Sequence, residues 1–144
     1  MKITICASIN FTPKIKEIAE KLSELGHEVE IPKYSQKIIN GEITLEKFAA
    51  IKQKQGDMVF RKSGEDLIKR YYIIIKNSDS ILVINMDKNG IENYIGANTF
   101  LEMGFAYILN KKIFLLNNIP DMHCKDEILA MSPIIINGDL EKIK

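Results

Sequence analysis

Three short apolar runs, at residues 3–7, 81–85 and 112–116, limit the folds that this chain of 144 residues can adopt. Runs of this length without polar alternation are typical of strands that are covered on both faces, as in a parallel sheet. Two further runs, 27–31 and 133–136, complete a set of five predicted strands. The alternating pattern of 27–31 favours an edge position.

Helical segments separate the predicted strands. Thr12 can cap a helix that has Pro13 at its first position and Gly26 after its end. Other helices are predicted over residues 44–55, from a Ser63/Asp66 capping pair to Asn77, over 97–109 and over 124–131. This alternation predicts a flavodoxin/Rossmann-like three-layer α/β fold with a five-stranded parallel sheet in the order 2-1-3-4-5.

Composition points to one domain over residues 1–144, in which residues 32–63 form a variable insertion or lid that carries one helix. Lys and Arg number 20 and Asp and Glu 19, so no global field favours nucleic acid or a membrane surface. Two cysteines, without a CxxC pair, predict neither a disulfide scaffold nor a metal site. We expect a cytoplasmic protein that binds no cofactor, because no glycine-rich nucleotide fingerprint and no signal peptide are present.

The predicted strand order fixes where a ligand should bind. In this order the topological switch point lies between the first and third strands, and the crevice opens at their carboxyl ends. The loop at 8–12 and the loop at 85–98 should therefore face each other across the ligand. Polar residues cluster in these loops, and the candidate substrate-binding residues there are Ser8, Ile9, Asn10, Asn85, Asp87, Gly96, Asn98 and Thr99.

The segment 94–106 holds the strongest chemical signal, one carboxylate on an otherwise apolar helix. Asn98 and Glu102 are four residues apart and project from the same side of that helix. A carboxylate near a helix N-terminus is favoured as the anion, the state that a covalent nucleophile needs. A polar residue at the rim of a core helix would give the same pattern, so the motif by itself leaves both interpretations open.

Four short motifs together resemble the nucleoside 2-deoxyribosyltransferase-like superfamily, which includes 2'-deoxynucleoside 5'-phosphate N-hydrolases. These motifs are Cys6-Ala7-Ser8-Ile9, residues 78–83, residues 98–106 and Lys111-Lys112-Ile113. The resemblance implies cleavage or transfer of an N-glycosidic bond in a nucleoside or nucleotide through a covalent glycosyl-Glu102 intermediate. It also implies that Ser8 and Asn10 hold the sugar or a 5'-phosphate and that Thr99 orients Glu102.

Two positions depart from the family pattern. Tyr71 occupies the place of the acid/base Asp, and Gly96 occupies the place of a residue that contacts the sugar. The catalytic candidates are therefore Glu102 and Tyr71, with Asp66 and Glu65 as alternative acids. A noncatalytic nucleotide-binding module is the second hypothesis.

A structural or partner-binding domain is the third hypothesis, because the helix 97–109 is apolar around nearly its whole circumference. Such a helix must be buried on more than one side. We therefore expect a homodimer through this helix, which is compatible with either of the first two hypotheses.

Overall fold

The computed structural model describes residues 1–56, 58 and 66–144. Seven strands are present in this part of the chain: β1 (Lys2–Ala7), β2 (Glu28–Glu30), β3 (Ser80–Ile84), β4 (Met86–Lys88), β5 (Ile91–Tyr94), β6 (Lys112–Leu115) and β7 (Ile134–Ile135). Six helices are described with them: α1 (Thr12–Glu24), α2 (Lys33–Ile39), α3 (Leu45–Gln55), α4 (Leu67–Lys76), α5 (Ala97–Ile108) and α6 (Lys125–Ala130).

Five of the strands form one parallel sheet in the order β2-β1-β3-β6-β7. Ile5 pairs with Leu82, and Leu82 pairs with Phe114 across the centre of the sheet. The predicted α/β fold is confirmed. The labels differ from the predicted 2-1-3-4-5 because the hairpin of β4 and β5, which the prediction lacked, takes two numbers between the third and fourth sheet strands.

Alternate side chains of the central strands enter two separate cores. Cys6 and Val83 belong to a buried cluster with residues of α4, α5 and α6. Ile5 and Leu82 belong to the opposite cluster with residues of α1. Both faces of these strands are therefore covered, which is why their sequence reads as continuous apolar runs.

The hairpin follows β3 directly and has its own local signal. Asn89 and Gly90 lie at its tip with φ of 55° and 73°, the left-handed geometry of a two-residue hairpin turn. Met86 pairs with Tyr94 in this antiparallel ribbon. The Asn-Gly pair is a strong hairpin signal, and the prediction of an irregular loop over 85–98 overlooked it.

Local capping explains where two of the helices begin. Thr44 accepts a hydrogen bond from the Lys47 N–H at the start of α3, and Asp66 accepts one from the Lys69 N–H at the start of α4. Ser63 and Glu65 lie outside the described residues.

The insertion at 32–63 carries both α2 and α3, whereas the sequence predicted a single helix there. The seven-residue α2 begins after Pro32 without a side-chain cap, so it lacks the usual start signal. None of the helices that the structure describes has the length and apolar composition needed to cross a bilayer.

Candidate active site

A cleft of about 560 Å³ opens at the carboxyl ends of β1 and β3, where the strand order predicts a ligand site. The loop after β1 and the hairpin after β3 form two of its sides. Helices α2, α3, α4 and α5 contribute the rest of its lining. The lining side chains that matter below are Ser8, Asn10, Tyr34, Phe48, Lys52, Arg70, Tyr71, Lys88, Tyr94, Asn98, Thr99 and Glu102.

Glu102 is the only carboxylic acid among the described residues that line this cleft. It is the sixth residue of α5, one turn beyond the free N–H groups at the helix start. Burial raises the pKa of Glu102 to about 8, while a hydrogen bond from Cys6 and the positive charge of Lys52 lower it. The expectation of a stabilised anion is therefore wrong, because desolvation outweighs the short-range helix dipole.

Cys6 and Tyr71 lie beneath Glu102 and belong to the same buried cluster. The Cys6 thiol donates to the Glu102 carboxyl group, and burial raises the pKa of this thiol well above its usual range. The Tyr71 hydroxyl donates to the Ile5 carbonyl, and burial likewise raises the pKa of Tyr71. Tyr71 thus reaches the site, but its proton is already held by the backbone of β1.

The start of α5 brings three of the predicted substrate-binding residues to the cleft wall. Gly96 is the N-cap, and Asn98 and Thr99 lie in the first turn. Thr99 is buried and Asn98 is exposed. A Cβ added at Gly96 would contact the Tyr94 ring at 3.5 Å, so a small side chain fits there at ordinary contact distance.

The loop after β1 brings Ser8, Ile9 and Asn10 to the opposite wall. The Ser8 side chain accepts a hydrogen bond from the Asn10 N–H at the start of a short 3-10 turn, Ile9–Phe11. Lys88 from the hairpin donates to the Ser8 hydroxyl at 3.0 Å. The two loops therefore both line the cleft, as the strand order predicts, and this hydrogen bond joins them directly.

Asn85 and Asp87 are not among the residues that line the cleft. Asn85 is buried, and its side chain donates to the carbonyl groups of Asn117 and Asn118. Asp87 accepts from the Asn93 N–H inside the hairpin. The Asn85 side chain thus joins its loop to the loop after β6, and Asp87 braces the hairpin, so the structure does not bring either together with the other predicted residues.

The cleft also contains residues that sequence reasoning missed. Tyr34 from α2 and Phe48 from α3 contact each other with their ring centroids 4.8 Å apart. Lys52, Arg70 and Lys88 add cationic side chains from three different elements. These residues are far apart in sequence, so no sequence motif groups them at one site. The Asn-Gly turn signal could nevertheless have placed Lys88 in a hairpin beside the site.

Potential metal ligands are scattered in the described part of the chain. Within residues 1–56, 58 and 66–144, no three His, Cys, Asp or Glu side chains are grouped so that they could hold a metal ion. Both cysteines, Cys6 and Cys124, are buried as free thiols in the same core cluster. The polar side chains among the described residues that line the cleft are therefore one carboxyl group, hydroxyl and amide groups, and the four cations of Lys33, Lys52, Arg70 and Lys88.

Solved structures with this architecture include the CMP N-glycosidase BcmB of Clostridium botulinum. It matches 95% of this chain and 90% of its own, at 18% sequence identity and a TM-score of 0.53. The chain shares the fold of this N-glycosidase. A 2-deoxyribosyltransferase of Bacillus psychrosaccharolyticus matches 80% of this chain and 71% of its own, at 22% identity and a TM-score of 0.49. Neither a protein-family model nor a curated protein sequence matches.

Proposed function

We propose that this protein cleaves or transfers the N-glycosidic bond of a nucleoside or deoxynucleoside, or of the corresponding 5'-monophosphate. The observation that carries the proposal is the partly buried Glu102 carboxyl group, which is presented to the cleft at the switch point of the sheet. The fold shared with an N-glycosidase supports the same reaction class. The described residues of the cleft offer no second carboxyl group for this role.

Glu102 acts as the nucleophile in a double displacement. One carboxylate oxygen forms a bond to C1' of the sugar as the bond from C1' to the base nitrogen breaks, and the base leaves with the electron pair of that bond. Water or a second base then attacks C1' and releases the Glu102 carboxylate. Water as the acceptor makes the enzyme a hydrolase, and a base makes it a transferase.

The ionisation of Glu102 controls the first step. With a pKa of about 8, only about one tenth of the ligand-free protein carries the Glu102 anion at pH 7. Lys52 favours that anion electrostatically. The rate of glycosyl transfer to Glu102 should therefore rise with pH until Glu102 is ionised.

Protonation of the leaving base needs a source other than Tyr71. The Tyr71 hydroxyl donates to Ile5, and its raised pKa makes it a weak acid. Water in the cleft supplies the proton in the proposed reaction. A positioned acid typically contributes about 10²–10⁴ in rate, so we expect slow turnover.

Release of free base from deoxynucleosides and their 5'-monophosphates tests the proposal. We expect Glu102→Gln to abolish release, because the amide keeps the shape of the side chain but cannot attack C1'. Tyr71→Phe should retain most of the activity if its hydroxyl only braces β1. Equal background release by the wild type and Glu102→Gln with every substrate would contradict an enzymatic role.

A noncatalytic nucleotide-binding module is the second candidate. It is favoured by the two departures from the family pattern, Tyr71 and Gly96, which leave the cleft without the expected acid and sugar-contacting residue. This candidate predicts that nucleotides raise the melting temperature without any turnover. No thermal shift with any member of a nucleotide panel would exclude it.

Self-association through α5 accompanies either function. Ile68 and Tyr72 on α4 and Leu101 and Ile108 on α5 are all exposed, and Tyr72 contacts Phe105 edge to face. This apolar surface of α4 and α5 continues into a small pocket beside Glu102. We propose that a second copy of the chain covers it and closes this side of the site.

A further inference from the structure

The insertion helix α3 brings Lys52 to the same cleft as Glu102. We propose that Lys52 stabilises the departing base as an anion. The protein therefore prefers nucleosides of oxo bases, such as uracil and thymine, over those of amino bases, such as adenine and cytosine. This inference rests on the proposed function, whose leaving group it specifies.

Helix α3 directs Lys52 toward the cleft. Phe48 and Lys52 are four residues apart, so they lie on the same side of this helix. Phe48 is buried, and its ring contacts Tyr34 with the centroids 4.8 Å apart. Lys52 is half-buried, whereas its neighbours Ile51 and Gln53 are exposed. Because Phe48 and Lys52 both line the cleft, the packed side of α3 is also the side that carries the ammonium group to the site.

Lys52 acts on Glu102 through its charge. Among the described residues, Cys6 donates a hydrogen bond to the Glu102 carboxyl group, whereas Lys52 lowers the pKa of Glu102 by charge alone. The same charge lowers the pKa of Lys88 on the hairpin. In double-displacement glycosidases the group that assists departure lies about 5–5.5 Å from the nucleophile, within range of its charge but beyond a hydrogen bond. The relation of Lys52 to Glu102 fits that role.

The charge of the cleft favours a base that departs as an anion. The described lining contains the four cations Lys33, Lys52, Arg70 and Lys88, and its one carboxyl group is that of Glu102. An ammonium group beside the departing nitrogen stabilises the negative charge that develops there as the bond to C1' breaks. A base that departs after protonation of its ring would instead bring positive charge toward these cations, which oppose it.

Oxo bases suit this kind of departure because their anions are delocalised. When uracil or thymine leaves, the electron pair of the broken bond spreads from N1 onto the oxygens O2 and O4. O2 is bonded to the ring carbon next to N1, so Lys52 can donate a charge-assisted hydrogen bond to it as the bond to C1' breaks. Adenine has no oxo group, and cytosine has an amino group in place of O4, so their anions are less stable.

Atoms and charge balance with water as the co-reactant. Glu102 forms a bond to C1', and the base leaves with the electron pair of the broken bond. The base anion takes a proton from water. The oxygen of that water then bonds to C1' as the Glu102 carboxylate is released. The products are the neutral base and the free sugar or sugar phosphate, and Lys52 keeps its charge throughout.

Leaving-group kinetics on Lys52→Met test the inference. The substrates are 2'-deoxyuridine and 5-fluoro-2'-deoxyuridine, whose base is the better leaving group, as nucleosides or as 5'-monophosphates, whichever the wild type cleaves faster. We expect kcat/KM for the deoxyuridine substrate to fall by about 10- to 100-fold and that for the fluoro analogue to fall several-fold less. The ratio of the two values at one pH cancels the effect of Lys52 on the ionisation of Glu102, because both substrates meet the same Glu102.

Two further variants control this measurement. Lys54→Met removes an exposed lysine of α3 outside the cleft and should leave both rates unchanged. Lys52→Arg keeps the positive charge and should restore most of the activity. A ratio that is the same in the wild type and in Lys52→Met would overturn the inference and leave the enzymatic proposal intact. A wild type that cleaves the adenine or cytosine substrate faster than the thymine substrate would do the same.

Binding of a free base anion separates failure of this inference from failure of the proposed function. Thermal shifts of the full chain are recorded with 5-nitrouracil, which is an anion at neutral pH, and with thymine, which is neutral there. We expect 5-nitrouracil to stabilise the wild type, Lys54→Met and Lys52→Arg more than Lys52→Met. This result without turnover of any nucleoside or nucleotide would keep the role of Lys52 as an anion site and overturn the enzymatic proposal. Equal shifts in the wild type and in Lys52→Met, or no shift in either, would overturn the inference.

Discussion

Burial raises the pKa of the Glu102 carboxyl group to about 8, so this group is mostly protonated at neutral pH. Two groups of other elements shift its pKa: Cys6 on β1 and Lys52 on α3. Cys6 and Lys52 both favour the anion, and together they leave the pKa at about 8 instead of higher. With this pKa, the carboxyl group stays neutral until a bound substrate changes its surroundings or the pH rises.

Removing the charge of Glu102 should stabilise the protein at alkaline pH. The unfolded state releases the Glu102 proton near pH 4.5 and the folded state near pH 8, so wild-type stability falls as pH rises between these values. We expect Glu102→Gln to match the wild type near pH 4 and to exceed its free energy of unfolding by roughly 2–5 kcal/mol at pH 8. Urea denaturation at both pH values measures this, and a pH-independent difference would contradict it.

Cys6 should set the pH at which Glu102 becomes reactive. Cys6→Ala removes the hydrogen bond to Glu102, so the acid limb of the kcat/KM profile should move up by about half a pH unit. Cys6→Ser keeps a donor and should hold the limb at or below its wild-type position. Both substitutions introduce a small side chain at this buried position. Melting temperatures similar to that of the wild type, together with identical pH profiles, would show that the thiol has only a packing role.

At the scale of elements, part of the cleft lining comes from a hairpin and an insertion that are added to the parallel sheet. The β4–β5 hairpin supplies Lys88 and Tyr94, and the insertion supplies α2 and α3. The buried hydroxyl groups of Ser35 on α2 and Thr12 on α1 lie 3.0 Å apart and fix α2 to the rest of the domain. By contrast, α3 buries one described side chain, Phe48.

Phe48 should therefore control the docking of α3. Phe48→Ala removes the buried ring and its contact with Tyr34, and a change of this kind typically costs about 3–5 kcal/mol at a fully packed site. We expect faster hydrogen exchange over α2 and α3 and a KM raised by about tenfold, with little change in exchange at β3. Phe11→Ala is the control, because it removes a partly buried ring from the core that contains the α1 residues. Equal hydrogen exchange over α3 in the wild type and in Phe48→Ala would contradict this assignment.

At the scale of the whole molecule, the proposed dimer explains an apolar surface that the fold itself leaves uncovered. Leu101 is 41% exposed and Ile108 is 77% exposed. Burying such side chains typically gains about 1.5–3 kcal/mol each. Coverage by a second copy would also restrict water at the pocket beside Glu102.

Sedimentation of the wild type and Leu101→Lys tests the dimer. We expect the wild type to be a dimer at micromolar concentration and Leu101→Lys to be a monomer, because a buried lysine at the interface would lack a partner. Leu129→Lys changes a leucine of comparable exposure on α6, 51%, and should leave the assembly unchanged. A monomeric wild type at these concentrations would refute the proposal.

The sequence by itself determined the parallel sheet, its strand order and the loops that meet at the switch point. Apolar runs, helix caps and right-handed connections are local or nearly local signals, so they can be recognised in the sequence without knowledge of the packing. The same signals located Glu102, Ser8 and Asn98, because each lies in or beside a predicted element. Asn85 was placed in the right loop, but its side chain turns to Asn117, a partner that no local pattern reveals.

Only the tertiary structure decided how the site is charged and what surrounds it. The pKa of Glu102 rises because elements distant in sequence exclude water from it. The Tyr71 hydroxyl donates its proton to a carbonyl group of β1, so this proton is not available to a leaving group. Lys52 and Lys88 reach the cleft from α3 and from the hairpin. Desolvation and long-range charge depend on three-dimensional proximity, which sequence spacing does not encode.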